Sequence, residues 1–228
     1  MKKMTIKIEL LSPLQLSSGR EDIIHDSDAV HDSYGVPYFP GKRLKGLLYE
    51  SALELVEMGA KFNKRDIDIL FGNIGETRIR IDNFYLKGST EAEDAEKIHS
   101  IGDKLQQLIS QSTEAEDAEK IHSSWSYLEN KYPEIFNTEN VWQSYTEVRH
   151  QTKIDEATGT AEDESLRNMR VVQKGQAFVG DIYLLAGANR INDDESIVEQ
   201  ALLNLRFAGS KRNRGFGRIK CKKYSKHN

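Results

Sequence analysis

The chain of 228 residues has a single cysteine, Cys221, so it can form no internal disulfide and no thiolate zinc cluster. A structural thiol is the reading that remains. No apolar run approaches the roughly 18 residues that span a bilayer, and the start, MKKMTIKIELLSP, is too broken by charge to be a signal peptide. The expectation is a cytoplasmic protein with no membrane partner. The pattern G-x-x-x-x-G-K-[ST] occurs nowhere, which excludes a Walker phosphate loop. Positive charge is not in excess either: the net charge is −4, which taken alone argues against nucleic acid.

What is present changes that last inference. An apolar fraction of 38% with 30% charged residues fits one globular domain over residues 1–228 with a large polar surface. The charge is unevenly spread. From Arg206 to Asn228 there are nine Lys or Arg and no Asp or Glu, whereas nine acidic residues between Ser89 and His122 face only Lys97, Lys104 and Lys120. A phosphate backbone feels the local patch, within a Debye length of about 10 Å, and not the sum over the chain.

Residues 4–11, MTIKIELL, alternate apolar and polar and predict a first, half-buried strand. Residues 20–35 hold turn formers without a period, which reads as a long loop. Pro37, Pro40 and Gly41 end it, and Leu44, Leu47, Leu48, Ala52, Leu55 and Val56 recur at helical spacing. DIDILFGNIG ends in glycine-flanked turns. TRIRIDNFYLK predicts a second strand with Ile79 and Ile81 on one face and Arg78 and Arg80 on the other. STEAEDAEKIHS at 89–100 returns letter for letter at 112–123. Diverged structural repeats keep pattern and not every letter, so a local duplication or a sequence artefact fits better than a solenoid. An acidic, helical or partly disordered surface insertion is expected over 88–140, without chemistry.

WQSYTEVRH onwards returns to strand character, with turn formers at DEATGTAED and a strand near Gln176 to Leu185. Ile197, Val198, Ala201, Leu202 and Leu205 give a second amphipathic helix, and Phe216 to Lys222 a closing strand. The order strand, helix, strand, insertion, strand, helix, strand predicts an α+β fold: a ferredoxin-like or RRM-type antiparallel sheet with two helices on one face.

Two stretches have the chemistry for a phosphate ligand. Lys42, Arg43 and Lys45 crowd the first turn of the first helix, where the macrodipole is already positive, and a bound anion would offset that cost. AGSKRNRGFGR sets Lys211, Arg212, Arg214 and Arg218 among glycines that let the chain approach a ligand, with Phe216 available to stack on a base. The plain alternatives are a solvated helix start and a basic turn. Ahead of the helix, His25, Asp26, Asp28, His31 and Asp32 lie in the long loop. They suit a divalent cation, general acid/base chemistry or mere solvation, and spacing does not choose among these. Because RNA carries its own nucleophile in the 2′-hydroxyl, one carboxylate near it would suffice for strand scission.

Five segments in order, SPLQLSSG, GVPYFPGKRLKGLLYESA, LFG at 70–72, KIDEATGTAEDESL and GSKRNRGFGRIK, resemble the RAMP superfamily of CRISPR-associated proteins. More narrowly, they are similar to the backbone subunits of type III effector complexes. The resemblance implies an RRM-like fold assembling along a CRISPR RNA with copies of itself or related RAMP subunits and other effector-complex subunits. It also implies that the Gly-rich loop and the first helix's basic start hold the guide, and that a thumb hairpin, here about 149–175, interrupts the guide–target duplex. In catalytic relatives a loop aspartate cuts target RNA with a divalent metal. The family spacing, counted back nine residues from Gly35, lands on Asp26, which would then be both the catalytic residue and a ligand of Mg2+ or Mn2+. His25 and Ser27-Asp28 depart from the family pattern there, and Asp28 is the second candidate. Two alternatives stand beside this: a non-catalytic structural RAMP subunit, and a metal-independent CRISPR RNA processing endoribonuclease with His25 or His31 as base.

Overall fold

The computed structural model describes residues 1–17, 29–33, 35–87, 137–152, 167–185 and 191–224, with Ser126, Asn130, Asp155 and residues 158–160. Its first strand, β1 (Lys2–Leu10), is as the alternation predicts: Met4, Ile6, Ile8 and Leu10 are buried and the odd-numbered side chains face outward. Burying one such side chain contributes about 1.5–3 kcal/mol, an upper estimate. Four inward positions on one strand make β1 the natural centre of a sheet.

The strands β2 (Tyr38–Phe39), β3 (Ile79–Ile81), β4 (Phe84–Lys87), β7 (Ala177–Leu184) and β8 (Ile219–Lys223) join β1 in one antiparallel sheet, ordered β2-β4-β7-β1-β8, with β3 also paired to β7. β1 is flanked on both sides, with Ile6 opposite Gly180 on β7 and Ile8 opposite Cys221 on β8. A separate antiparallel pair is formed by β5 (Thr146–Gln151) and β6 (Arg167–Val172). It is anchored to the end of β1 by the Leu14–Val172 bridge and by the Gly175 amide donating to the Leu10 carbonyl at 3.0 Å.

Helix α1 (Gly41–Glu57) buries Leu44, Leu48 and Ala52, the stripe visible in the sequence. It lies against α4 (Ile191–Asn204), where the buried Ser51 hydroxyl donates to the Ala201 carbonyl at 2.9 Å. Gly41 must be glycine. A Cβ there would collide with the carbonyl oxygens of Ile81 and Asp82, and its amide donates to the Asn83 side chain at 3.0 Å.

Three features differ from the expectation. Residues 64–71 form a helix, α2 (Lys64–Phe71), started by a reciprocal capping box between Asn63 and Asp66 and stopped by Gly72 at φ 82°. The single strand expected from TRIRIDNFYLK is two, because Asp82 and Asn83 leave the ladder where α1 presses on the sheet. Residues 138–145, read as the edge of an insertion and the beginning of a strand, are a helix, α3 (Thr138–Tyr145), capped by Asn137. Residues 88–125, most of the expected acidic insertion, lie outside the described residues, as does most of the connection between β5 and β6.

The two faces of the sheet differ in chemistry. The inner face packs on α1 and α4. On the outer face charges are paired: Glu9 bonds both Lys7 and Lys222 at 2.9 Å, Asp181 bonds Lys3 at 2.8 Å, and the Arg80 guanidinium sits 4.2 Å from the Tyr183 ring centre. Lys222 and Lys7 hold the Glu9 carboxyl below its usual range, and the Asp181 carboxylate raises the Lys3 ammonium. These cations already have carboxylate partners.

Candidate nucleic-acid interface

Further cations lie in the loop after α4 and at the start of α1. The loop from Ala208 to Arg218 is built by backbone bonds: the Ala208 amide donates to the Gly217 carbonyl and the Gly217 amide to the Pro13 carbonyl, each at 2.8 Å. Ser210 donates from its hydroxyl to the buried Gln15 side chain at 2.8 Å and from its amide to the Gln15 carbonyl at 3.2 Å. Gly209 has φ 75° and sits so close to Gln15 that a Cβ would collide with its carbonyl oxygen. With the loop held from inside, Arg212 and Arg214 in its short 3-10 turn are exposed. Arg218 is exposed too, while Phe216 is half-buried.

The first turn of α1 meets the same strand segment from the other side. The Arg43 guanidinium donates to the Ser17 carbonyl, two residues on from Gln15. Lys42 beside it is exposed, and Lys45 is half-buried with its ammonium on the Thr77 hydroxyl at 3.0 Å. Burial lowers the Lys45 pKa. The two basic clusters singled out in the sequence are thus brought together around residues 14–17.

That segment also carries the base of the long acidic loop. Ser17 bridges Ala29, and the Val30 amide donates to the Leu16 carbonyl at 2.8 Å. The chain therefore leaves at Ser17 and returns at Ala29 next to the Arg43 contact. His25, Asp26 and Asp28 lie between these points, outside the described residues. His31 is described and exposed: its ring packs edge-on against Trp142 at 4.0 Å, and its Nδ1 lies 2.7 Å from the Asp32 carbonyl oxygen. Among the described residues no three His, Cys, Asp or Glu come together as a metal site.

Lys211 differs from its neighbours. It has φ 58°, and its ammonium donates to the Gln151 side chain at 2.5 Å, tying the loop to the end of β5.

A groove of about 320 Å³ opens between α1 and the segment that follows α4. Glu50 and Glu54 line it from α1, and Arg206, Phe207 and Arg212 from the other side, over a floor that includes Leu47. Neither Arg206 nor Arg212 pairs with a carboxylate among the described residues. Phe207 is 40% exposed, unusual for its size, and was missed in the sequence because it follows the helix stripe directly. Arg212 belongs both to this groove and to the loop.

An antiparallel α+β domain with a glycine-held basic loop beside a basic helix start is the class that fold and site define. The family model of the RAMP superfamily matches residues 7–220, and the chain belongs to that superfamily. Comparison with curated proteins yields no match. Two solved structures share the fold. A chain of the type III-B Cmr-beta complex bound to cognate target RNA is 15% identical, with a TM-score of 0.63 and 97% of each chain covered. A chain of the type III-B Cmr-beta complex in the apo state is also 15% identical, with a TM-score of 0.64 and 98% of each chain covered. No helix among the described residues is long and apolar enough to cross a membrane.

Proposed function

We propose that the protein is a guide-RNA-binding backbone subunit of a type III CRISPR effector complex, working in the cytoplasm beside copies of itself or related RAMP subunits. The observation that supports this most is the meeting of the loop and the α1 start on residues 14–17, through Ser210 on Gln15 and Arg43 on Ser17. Exposed Lys42, Arg212, Arg214 and Arg218 there offer a phosphate backbone donors that carboxylates do not already occupy. On the outer face, by contrast, Lys3, Lys7 and Lys222 already bond carboxylates. The strand order, with β1 between β7 and β8, is the one a ferredoxin-like sheet has, and we read β5 and β6 as the stem of the thumb hairpin.

Cleavage of target RNA by Asp26 extends the same reading. The chain on either side of it meets at Ser17 and Ala29, and Ser17 also takes the Arg43 contact, which supports this reading. In that role Asp26 takes the proton of a 2′-hydroxyl as its oxygen bonds to phosphorus, and the bond to the 5′-oxygen breaks, the leaving oxygen taking a proton from water. Mg2+ or Mn2+ held with Asp26 would stabilise the charge that develops on the phosphate. Two measurements test the proposal. RNA that co-purifies with the protein is of uniform guide length, whereas an absence of bound RNA would overturn the binding role. Asp26→Ala lowers target cutting by at least ~10²-fold with guide binding unchanged. Unchanged cutting would exclude Asp26 and pass the role to Asp28, no cutting by the wild type would leave a purely structural subunit, and cutting that survives a chelator and depends on His25 or His31 would favour the metal-independent enzyme.

A further inference from the structure

We infer that the groove between α1 and the segment after α4 takes one base of the bound RNA, turned in from the strand, and favours guanine. The inference rests on the RNA-binding role proposed above and adds a base preference to it.

The groove keeps opposite charges apart. Glu50 and Glu54 lie one turn apart on α1, so they share a face and repel each other at a small cost to the helix. No lysine or arginine among the described residues neutralises either. Glu54 accepts a 3.0 Å hydrogen bond from the Asn204 amide, which also bonds the Ser51 hydroxyl at 3.1 Å and so fixes the polar end of the groove. Across the gap, Arg206 and Arg212 are equally unneutralised, although a pairing across the groove would be the simplest relief for both sides. A ligand that suits this arrangement carries an anion at one end, hydrogen-bond donors at the other and a flat apolar body between. A nucleotide has that form. Its phosphate meets the arginines, its base lies on the exposed Phe207 ring, and its edge faces the carboxylates.

The carboxylates rank the bases. Guanine presents two adjacent donors, at N1 and N2, to a single carboxylate. Adenine and cytosine present one amino group beside a ring acceptor, and uracil presents one N–H between two carbonyls that repel a carboxylate. The groove is also reached without a separate path, since Arg212 is at once in its lining and in the loop proposed to hold the strand.

The test is binding of the full chain to unstructured RNA of about ten nucleotides, all uridine or with one central guanosine, adenosine or cytidine. Guanosine is expected to tighten binding about tenfold over uridine, the scale of one bidentate base contact, with adenosine and cytidine between. Glu50→Ala with Glu54→Ala places a good helix former at two outward positions, so the fold is retained. Removing two negative charges strengthens binding to every oligonucleotide, but the guanosine advantage should fall to about one. Equal affinity for all four in the wild type, or an advantage that survives in the double variant, would overturn the base pocket while leaving the RNA-binding role intact. If no oligonucleotide binds, both fall together.

Discussion

The Arg78 guanidinium and the Asp194 carboxylate, at the edge of β3 and in the first turn of α4, lie 2.8 Å apart with side-chain exposures of 18% and 2%. This pair fixes where α4 begins, and through α4 the position of one wall of the groove. Asp194→Ala takes the carboxylate from a half-buried guanidinium whose Nε is fully buried, and should cost about 3 kcal/mol in urea unfolding. Adding Arg78→Met should recover much of that loss, because two apolar groups need no partner. A double variant as unstable as the single one would mean that Asp194 acts through other contacts.

Glycine at 209 is set by proximity as well as by φ. Gly209→Ala would drive a methyl into the Gln15 carbonyl, whereas Gly215→Ala, at φ 83°, meets nothing within 4 Å. We expect about 1 kcal/mol lost at 215 and about 1–3 kcal/mol at 209. Only the Gly209 variant should also weaken RNA binding. Equal losses of stability would show that the close approach to Gln15 is not needed.

Among the basic residues of the loop, salt dependence should separate contacts from the tether. Arg212→Ala and Arg214→Ala should each flatten the log–log slope of single-strand binding by about 0.7. Lys211→Met should leave the slope nearly unchanged, since its ammonium is engaged by Gln151. A Lys211 effect as large as the arginines' would return it to the phosphate contacts.

Acid should loosen the outer face of the sheet. Lys222 and Lys7 hold the Glu9 pKa below 4.5, so its contribution is complete above that value and is lost as pH falls through the folded-state pKa. Glu195, lowered chiefly by Lys2, behaves in the same way. Glu9→Gln should therefore flatten the decline of the melting temperature below about pH 4.5 without changing its shape near neutrality. A decline as steep as the wild type's would exclude Glu9.

Burial pushes the Cys221 thiol up to about 12. With so little thiolate near neutral pH, alkylation should be slow and should follow the unfolding equilibrium as urea is added. Rapid labelling of the native protein would contradict the packing of β8 on β1.

The sheet and the two long helices were legible because their signals are local. Alternation along β1 and the leucine stripe of α1 each state which face is buried. α2 and α3 were missed because helices of eight residues carry too few apolar positions to show a period, although the Asn63–Asp66 and Asn137 caps were there to be read. In the site, the two basic clusters were legible by charge. Their meeting on residues 14–17 was not, since Ser210–Gln15 and Arg43–Ser17 join positions 195 and 26 residues apart. For the same reason the bond from Lys211 to Gln151 was not legible: nothing in the neighbourhood of Lys211 names its partner.

The bridge between Ser17 and Ala29 has one more consequence. A loop whose two ends are stapled side by side can change length and composition without transmitting the change to the sheet beneath. The segment from 18 to 28 is in that sense an exchangeable cassette. Related chains could differ between these two positions while the contacts of Arg43 on Ser17 and Ser210 on Gln15 remain as they are.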